Sequence, residues 1–346
     1  MRYSRQEILK EFGPDGQSKL LAAKVLVIGT GGLGCPVLQY LAAAGVGTIG
    51  IVDGDVVTES NLQRQILFGT SDIRKEKVEI AKNQLLKINN EIKVETYCTF
   101  LSKDNALSII EKYEIVVDGT DNFSTRYLIN DACVMLNKPY VSASILRFEG
   151  QLSVYNYQNG PTYRCIFPEA PTNVPSCEEA GVIGAIAGTM GTLQANEVIK
   201  IILGLPTLAG KLLLVDLLSM NFNTIKFQRQ ENWDKVSLQN NYDISCEIGI
   251  EELNVHQLAE KLKLNTAQVL DIRKAQEYKN KNVGGLHLEL ENIEIQELNL
   301  NSETEIIVCC NNGNKSLDFA KKLKSAGFTN KIYSLKGGLS AYFSVY

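Results

Sequence analysis

A glycine-rich turn near the N-terminus is the first segment whose residue types suggest a particular chemistry. The apolar run Val25-Leu26-Val27-Ile28 predicts a short strand, and Gly29-Thr30-Gly31-Gly32-Leu33-Gly34 follows it directly. Such a turn between a strand and a helix brings main-chain N–H groups and the positive helix end to a phosphate. Asp53, after the next predicted strand, stands where an acidic residue would bind a ribose. These residues alone leave an NAD-dependent oxidoreductase open as an interpretation.

The polar segment that follows favours a triphosphate over a dinucleotide. Asp53-Gly54-Asp55 leads into Ser60-Asn61-Leu62-Gln63-Arg64-Gln65, and Lys77 comes next. A pyrophosphate diester is held by amides and a helix dipole, whereas a triphosphate carries about twice the charge and usually needs fixed cations and a metal. Arg64 and Lys77 are the candidate cations. Solvated surface charge is the alternative interpretation for both.

A second polar segment follows a strand that the sequence predicts to be buried. Asp118-Gly119-Thr120-Asp121-Asn122 comes after Ile115-Val116-Val117. Ligands of open α/β sheets bind at the carboxyl ends of the strands. Two carboxylates there suit Mg²⁺, a hard ion that prefers carboxylate and phosphate oxygens. For Asp121 the alternative is a helix N-cap.

The elements that must position these residues alternate between strands and helices. This alternation predicts the α/β class, with a mostly parallel, Rossmann-like sheet over residues 1–230. The candidate triphosphate residues above make it an expected ATP-binding domain. Residues 231–251 are polar and Asn-rich without clear periodicity, so we predict a linker there. Two further apolar strands and one helical stretch predict a second, smaller α/β domain over residues 252–346.

Composition excludes several classes of protein. A chain of 346 residues is too long for one ordinary core, and a net charge of −4 gives no electrostatic reason to expect nucleic acid or an anionic membrane as partner. The charged N-terminus does not resemble a secretory signal, and the apolar stretch 180–195 is too short and interrupted to span a bilayer. Eight scattered cysteines do not suggest a disulfide framework, so we expect a cytoplasmic protein.

The first two-thirds of the chain resembles a known family. Residues 2–226 are similar to the MoeB/ThiF/HesA branch of the ubiquitin-activating superfamily. The matching motifs are Arg5-Gln6, Gly29-Thr30-Gly31-Gly32-Leu33-Gly34, Asp53-Gly54-Asp55, Ser60-Asn61-Leu62-Gln63-Arg64-Gln65 and Thr120-Asp121-Asn122. The resemblance implies ATP-dependent adenylation of the C-terminal carboxylate of a ubiquitin-like sulfur-carrier protein ending in Gly-Gly. The carrier would serve molybdopterin synthesis, thiamine synthesis or tRNA thiolation.

The same resemblance implies roles for individual residues. It places the nucleotide and its phosphates against Gly32, Asp53, Ser60, Asn61, Arg64, Lys77, Asp121 and Asn122. Asp121 would organise Mg²⁺ and the reaction centre. Arg5 would reach the triphosphate of the other subunit across a homodimer. An NAD-dependent oxidoreductase gives no reason for Arg64, Lys77 and Asp121, and the intact nucleotide residues argue against a non-catalytic binding module.

Members of this family often carry a structural zinc held by two CxxC pairs. The corresponding places here read Thr162-Tyr163-Arg164-Cys165 and Asp243-Ile244-Ser245-Cys246, so the first cysteine of each pair is absent. Thr is a poor zinc ligand, and we therefore expect no zinc. Cys177 matches the position where relatives can carry a thioester or acyl disulfide to the partner. A loop thiol without chemistry is its alternative, because adenylation alone needs no cysteine.

Residues 252–346 resemble a rhodanese. The matching pieces are Val269-Leu270-Asp271-Ile272-Arg273, Cys310-Asn311-Asn312-Gly313-Asn314-Lys315-Ser316 and Leu335-Lys336-Gly337-Gly338. Cys310 ends a strand and opens a loop whose amides converge before a helix, an environment that favours a sulfur anion. The resemblance implies that Cys310 carries a persulfide received from a sulfur donor such as a cysteine desulfurase. The alternative is a domain that serves only in docking.

Overall fold

The computed structural model describes most of the chain. Its described residues are 2–169, 181–233, 235–239, 242, 250–264, 266–290, 295, 298, 300, 304–326, 328 and 330–346. The chain divides into two compact units, Met1–Ile244 and Ser245–Tyr346. Part of the predicted linker 231–251 lies outside the described residues. Within the described part of the chain, no helix is both long and apolar enough to cross a membrane.

An eight-stranded sheet forms the centre of the first unit. Its strands are β1 (Lys24–Ile28), β2 (Thr48–Val52), β3 (Lys93–Tyr97), β4 (Ile115–Asp118), β5 (Tyr140–Leu146), β6 (Glu149–Tyr155), β7 (Lys211–Asp216) and β8 (Asn221–Lys226). The strand order is β3-β2-β1-β4-β5-β6-β7-β8. The first five strands are parallel and the last three pair antiparallel. The predicted α/β class with a mostly parallel sheet is confirmed.

Helices cover both faces of this sheet. They are α1 (Ser4–Glu7), α2 (Gly13–Ala22), α3 (Gly34–Ala44), α4 (Lys77–Ile88), α5 (Ala106–Ile110), α6 (Phe123–Met135) and α7 (Gly184–Leu203). Alternate residues of β1 enter two different cores, with Val25 and Val27 packed on one face and Leu26 and Ile28 on the other. Burial on both faces explains why this strand is continuously apolar in sequence.

Close backbone approaches fix the glycine-rich turn. Gly29 has a φ of 91°, and a Cβ there would lie 2.8 Å from the carbonyl oxygen of Gly119, at the end of β4. A Cβ on Gly34, the first residue of α3, would overlap the carbonyl oxygen of Gly29. A Cβ on Gly191 of α7 would overlap the carbonyl oxygen of Leu33. The turn is therefore held directly against the end of β4 and against α7.

A five-stranded parallel sheet forms the second unit. Its strands are β9 (Glu251–Leu253), β10 (Ala267–Asp271), β11 (Leu286–His287), β12 (Glu305–Cys309) and β13 (Ile332–Leu335), in the order β11-β10-β12-β13-β9. Its helices are α8 (Val255–Leu264), α9 (Ala275–Asn280), α10 (Asn314–Ser325) and α11 (Gly338–Val345). Apolar clusters cover both faces of the sheet. The prediction of a smaller α/β domain at the C-terminus is confirmed.

Candidate functional site

Asp53 ties the end of β2 to the glycine-rich turn. Its Oδ2 accepts hydrogen bonds from the Thr30 main-chain N–H at 2.8 Å and from the Thr30 hydroxyl at 2.6 Å. Its Oδ1 accepts from the Asp55 main-chain N–H at 2.9 Å. Asp53 therefore positions the turn, and its predicted contact with the nucleotide stays a prediction.

Arg64 lies over the glycine-rich turn. A Cβ on Gly32 would come within 3.4 Å of Arg64 Cγ, and Arg64 Nη1 donates to the Ser60 carbonyl at 3.0 Å. Asn61 ends a short 3-10 helix, Glu59–Asn61, in which its Oδ1 accepts from the Thr58 N–H at 3.3 Å. This segment places the predicted phosphate cation beside the predicted phosphate cradle.

Lys77 is the first residue of α4, and its side chain reaches the segment that follows β2. Its side chain is buried, and its Nζ lies 3.1 Å from Asp55 Oδ2. Because Asp55 also donates its N–H to Asp53, the Lys77 ammonium is linked to the carboxyl end of β2. The nearby Cys35 belongs to the hydrophobic core, and its burial raises the pKa of its thiol to about 12.

Asp118 is a structural residue. Its carboxylate is fully buried and ion-paired with Arg126, whose Nε lies 2.9 Å from Oδ2. The Ser142 hydroxyl donates to Oδ2 at 2.6 Å, and the Thr120 N–H and hydroxyl donate to Oδ1 at 3.0 and 2.6 Å. Both oxygens are saturated, so the prediction of two magnesium carboxylates in this segment is wrong for Asp118.

Asp121 differs from Asp118 in exposure. The N-cap of α6 is Asn122, whose Oδ1 accepts from the Thr125 N–H at 2.8 Å, so the capping alternative for Asp121 does not apply. Asp121 is exposed just after the end of β4. It is therefore the carboxylate of this segment that is accessible to a metal ion or a substrate.

Sequence reasoning missed several residues that support this edge of the sheet. Gln194 of α7 donates from Nε2 to the Asp118 carbonyl at 2.8 Å. The buried Gln65 has its Nε2 3.9 Å from where a Cβ on Gly31 would lie, and among the described residues its Oε1 has no hydrogen-bond partner. For Gln194, the sequence signal of a structural role is a polar residue inside an apolar stretch. Arg126 offered none, because a helical arginine is usually solvated.

Arg5 is exposed on α1, away from its own glycine-rich turn. The neighbouring Gln6 donates from Nε2 to Gln17 Oε1 at 2.8 Å and to the Ala44 carbonyl at 3.1 Å. These contacts fix α1 at the C-terminal end of α3, whose N-terminal end forms the turn. The two ends are about 16 Å apart at 1.5 Å per residue. Among the described residues of the first unit, the contacts of this chain therefore do not bring Arg5 to the glycine-rich turn or to Arg64 beside it.

The predicted zinc position contains a polar and aromatic cluster in its described part. Cys165 Sγ accepts from the Gln230 N–H at 3.3 Å and lies 3.4 Å from the Thr162 hydroxyl. Arg164 forms a bidentate pair with Asp131 at 2.7 and 2.8 Å. Among the described residues, no group of three or more His, Cys, Asp and Glu is arranged to hold a metal. Asp243, Cys246 and the predicted thiol Cys177 lie outside the described residues.

Cys310 of the second unit lies at the carboxyl end of β12, as predicted. Its Sγ accepts hydrogen bonds from the main-chain N–H groups of Gly313 at 3.2 Å and Ser316 at 3.3 Å. Cys309 is fully buried in the opposite core, where burial raises the pKa of its thiol. Asn311 donates to the Glu277 carboxylate, which ties the loop to α9 and lowers the Glu277 pKa. The loop therefore offers hydrogen-bond donors to a sulfur anion at Cys310 alone.

Comparison with family models defines the class of this protein. The ThiF family model matches residues 3–236, and the rhodanese-like domain model matches residues 254–344. The chain belongs to the ThiF family and carries a C-terminal rhodanese-like domain, which confirms both predicted resemblances.

Individual relatives are similar to the chain over much or nearly all of its length. The chain is 52% identical over 254 residues to the adenylyltransferase and sulfurtransferase MOCS3 of Culex quinquefasciatus, a match that covers 72% of this chain and 58% of that protein. It is 39% identical over 364 residues to the probable adenylyltransferase/sulfurtransferase MoeZ of Mycobacterium tuberculosis, covering 99% of this chain and 92% of that one. The crystal structure of E. coli MccB with ATP superposes with a TM-score of 0.59 at 26% identity, covering 66% of this chain and 72% of that one.

Proposed function

We propose that this protein uses ATP and Mg²⁺ to adenylate the C-terminal Gly carboxylate of a ubiquitin-like sulfur carrier ending in Gly-Gly. The carrier is of the molybdopterin-synthase or thiamine type. The observation that carries the proposal is the placement of Arg64 against Gly32, with the exposed Asp121 at the end of the neighbouring strand. The names of the MOCS3 and MoeZ relatives support the same activity.

The residues of the first unit fit a bound triphosphate. Glycines occupy the turn where a Cβ would narrow the cradle, and the buried amide of Gln65 faces Gly31. Arg64 and Lys77 supply fixed positive charge, and Asp121 would hold Mg²⁺, which neutralises phosphate charge when bound. A carboxylate oxygen of the carrier attacks the α-phosphorus as the bond to pyrophosphate breaks. Catalysis is then mainly positioning and charge stabilisation.

The second unit would provide the sulfur. Cys310 takes sulfur as a persulfide from a donor such as a cysteine desulfurase, and the main-chain N–H groups of Gly313 and Ser316 face that sulfur. The terminal persulfide sulfur attacks the carbonyl carbon of the acyl adenylate, and AMP leaves. A reducing thiol then cleaves the S–S bond and releases the carrier as a thiocarboxylate. Cys177 is the candidate for a further covalent intermediate.

The working unit of this activity would be a homodimer in which each Arg5 serves the site of its partner. The support is the fixed position of α1 at the far end of α3 from the chain's own turn.

Carrier-dependent exchange between ATP and labelled pyrophosphate tests the adenylation. Asp121→Ala should lower the exchange rate about 100-fold or more, because it removes a charge that organises the metal and the reacting phosphates. The control is Asp104→Ala, which removes another exposed aspartate of the same unit and should exchange normally. Normal exchange by Asp121→Ala, or binding of NAD without ATP, would reject the proposal.

Mass analysis after incubation with a cysteine desulfurase and cysteine tests the sulfur transfer. The added sulfur should lie on Cys310, because burial raises the pKa of the Cys309 thiol and the loop N–H groups of Gly313 and Ser316 face Cys310. Cys310→Ala should abolish sulfur transfer to the activated carrier and leave pyrophosphate exchange unchanged, whereas Cys309→Ala should retain both. Full transfer by Cys310→Ala would show that the second unit serves only in docking.

A further inference from the structure

Two buried serine hydroxyls lie behind the Cys310 sulfur. Cys310 Sγ is 3.4 Å from Ser316 Oγ, and Ser316 Oγ is 3.0 Å from Ser334 Oγ. Both serines are fully buried, Ser316 in the first turn of α10 and Ser334 on β13. The three side chains therefore form a hydrogen-bonded row that runs from the reactive sulfur into the interior.

In one arrangement of the hydrogen bonds among these three side chains, Cys310 is a neutral thiol. The S–H group donates to Ser316 Oγ, and the Ser316 hydroxyl donates to the Gly313 carbonyl at 2.8 Å. In this arrangement the N–H donors that the described residues offer to the sulfur are the main-chain groups of Gly313 and Ser316.

A second arrangement suits a sulfur anion. When the S–H proton has left to solvent, the Ser316 hydroxyl can rotate and donate to Sγ, while Ser334 donates to the Ser316 oxygen. The Gly313 carbonyl released by this rotation still accepts the Leu317 N–H at 3.2 Å. The Gly313 carbonyl is therefore not left unpaired, and a buried unpaired group is what would otherwise oppose the change.

We propose that Ser316 and Ser334 form a hydroxyl relay. When the Cys310 sulfur carries negative charge, the Ser316 hydroxyl rotates and donates a hydrogen bond to that sulfur. Ser316 contacts the sulfur directly, and Ser334 is a positioning residue that orients the Ser316 hydroxyl. Hydrogen bonds to a charged group are about twice as strong as neutral ones, so the relay favours the anion over the thiol. The effect of the relay on the free Cys310 thiolate does not depend on the sulfur transfer proposed above. Its effect on a Cys310 persulfide does rest on that proposal.

The relay can be tested on the full-length protein by the pH dependence of iodoacetamide alkylation. The rate is followed by mass spectrometry of the peptide that contains Cys310, with fragment ions separating it from Cys309. Ser316→Ala should move the alkylation midpoint upward by about one pH unit, because a donor to the anion is lost. Ser334→Ala should move it upward by a smaller amount, and Ser316→Thr, which keeps a hydroxyl, should stay close to wild type.

The matched control is Ser340→Ala, an exposed serine at the start of α11 whose N–H bonds the same loop. Its midpoint should equal that of wild type. Thermal unfolding of each variant shows whether the domain is folded. An unshifted midpoint in folded Ser316→Ala overturns the relay, and if that variant does not fold, an unshifted midpoint in Ser334→Ala does so. Sulfur loading of wild type, measured separately, decides the sulfur-transfer proposal independently of either result.

Discussion

The two aspartates that flank Gly119 and Thr120 show how burial separates roles within one segment. Asp118 faces Arg126 in the core, whereas Asp121 is exposed. Burial alone would lower the pKa of Arg126, but the charge of Asp118 and the neighbouring Tyr163 raise it above its ordinary value. The guanidinium therefore stays charged, and it depends on Asp118 for its charge partner.

This difference predicts opposite effects on stability and activity. Asp118→Asn should lower the free energy of unfolding by about 3 kcal/mol, because it leaves a buried cation without its counter-charge. Asp121→Asn should change it by less than about 0.5 kcal/mol, as is usual for an exposed position, while it lowers pyrophosphate exchange. Urea unfolding of the two variants measures this. Equal stabilities would contradict the assignment of Asp118 as a structural residue.

At the scale of elements, the central strands could be predicted from sequence because their signal is local. Continuous apolar runs identified β1 and β4, whose observed bounds match the predicted runs Val25–Ile28 and Ile115–Val117 within a residue. The placement of the glycine-rich turn at the end of a strand followed from those runs.

Helix α7 could not be predicted in this way. Its small residues include Gly184 and Gly191, which disfavour a helix by propensity. The structure explains them by long-range packing, because a Cβ on Gly184 would overlap the Gln63 carbonyl and one on Gly191 would overlap the Leu33 carbonyl. The sequence gives no local sign of these main-chain partners, which come from distant parts of the chain.

The position of α1 makes the dimer hypothesis testable. Arg5→Ala and Asp121→Ala should each be inactive alone, because each removes one part of a shared site. After subunit exchange in an equal mixture, about half the dimers combine both variants and hold one complete site each. Exchange activity should then recover to on the order of a quarter of wild type. No recovery, once subunit exchange has been verified by native mass spectrometry, would count against Arg5 acting in its partner.

At the scale of the whole molecule, side-chain contacts hold the described part of the segment after β8 against the rest of the first unit. Arg229 Nη1 donates to the Gly160 carbonyl at 2.9 Å, and the Tyr242 hydroxyl donates to Asp131 Oδ2 at 2.9 Å. The Arg164 guanidinium also lies 5.3 Å from the centre of the Trp233 ring.

We therefore predict that the purified protein contains no stoichiometric zinc. Thr162 and Asp243 occupy two of the four expected ligand places, and two cysteines leave a tetrahedral shell half empty. Elemental analysis should find far less than one zinc per chain, and a chelator should leave the thermal midpoint unchanged. A sample loaded with zinc chloride and then desalted serves as the control. Retention of one zinc per chain would refute the prediction.

The backbone contacts around the glycine-rich turn also limit which substitutions this protein can accept during evolution. Gly29, Gly34 and Gly191 each stand where the methyl group of alanine would meet a main-chain oxygen or its close neighbourhood. A main-chain atom cannot be trimmed by a second mutation, so no compensating substitution elsewhere can relieve such a clash. Glycine should therefore be retained at these three positions over long lineages even where the apolar residues packed around them exchange freely.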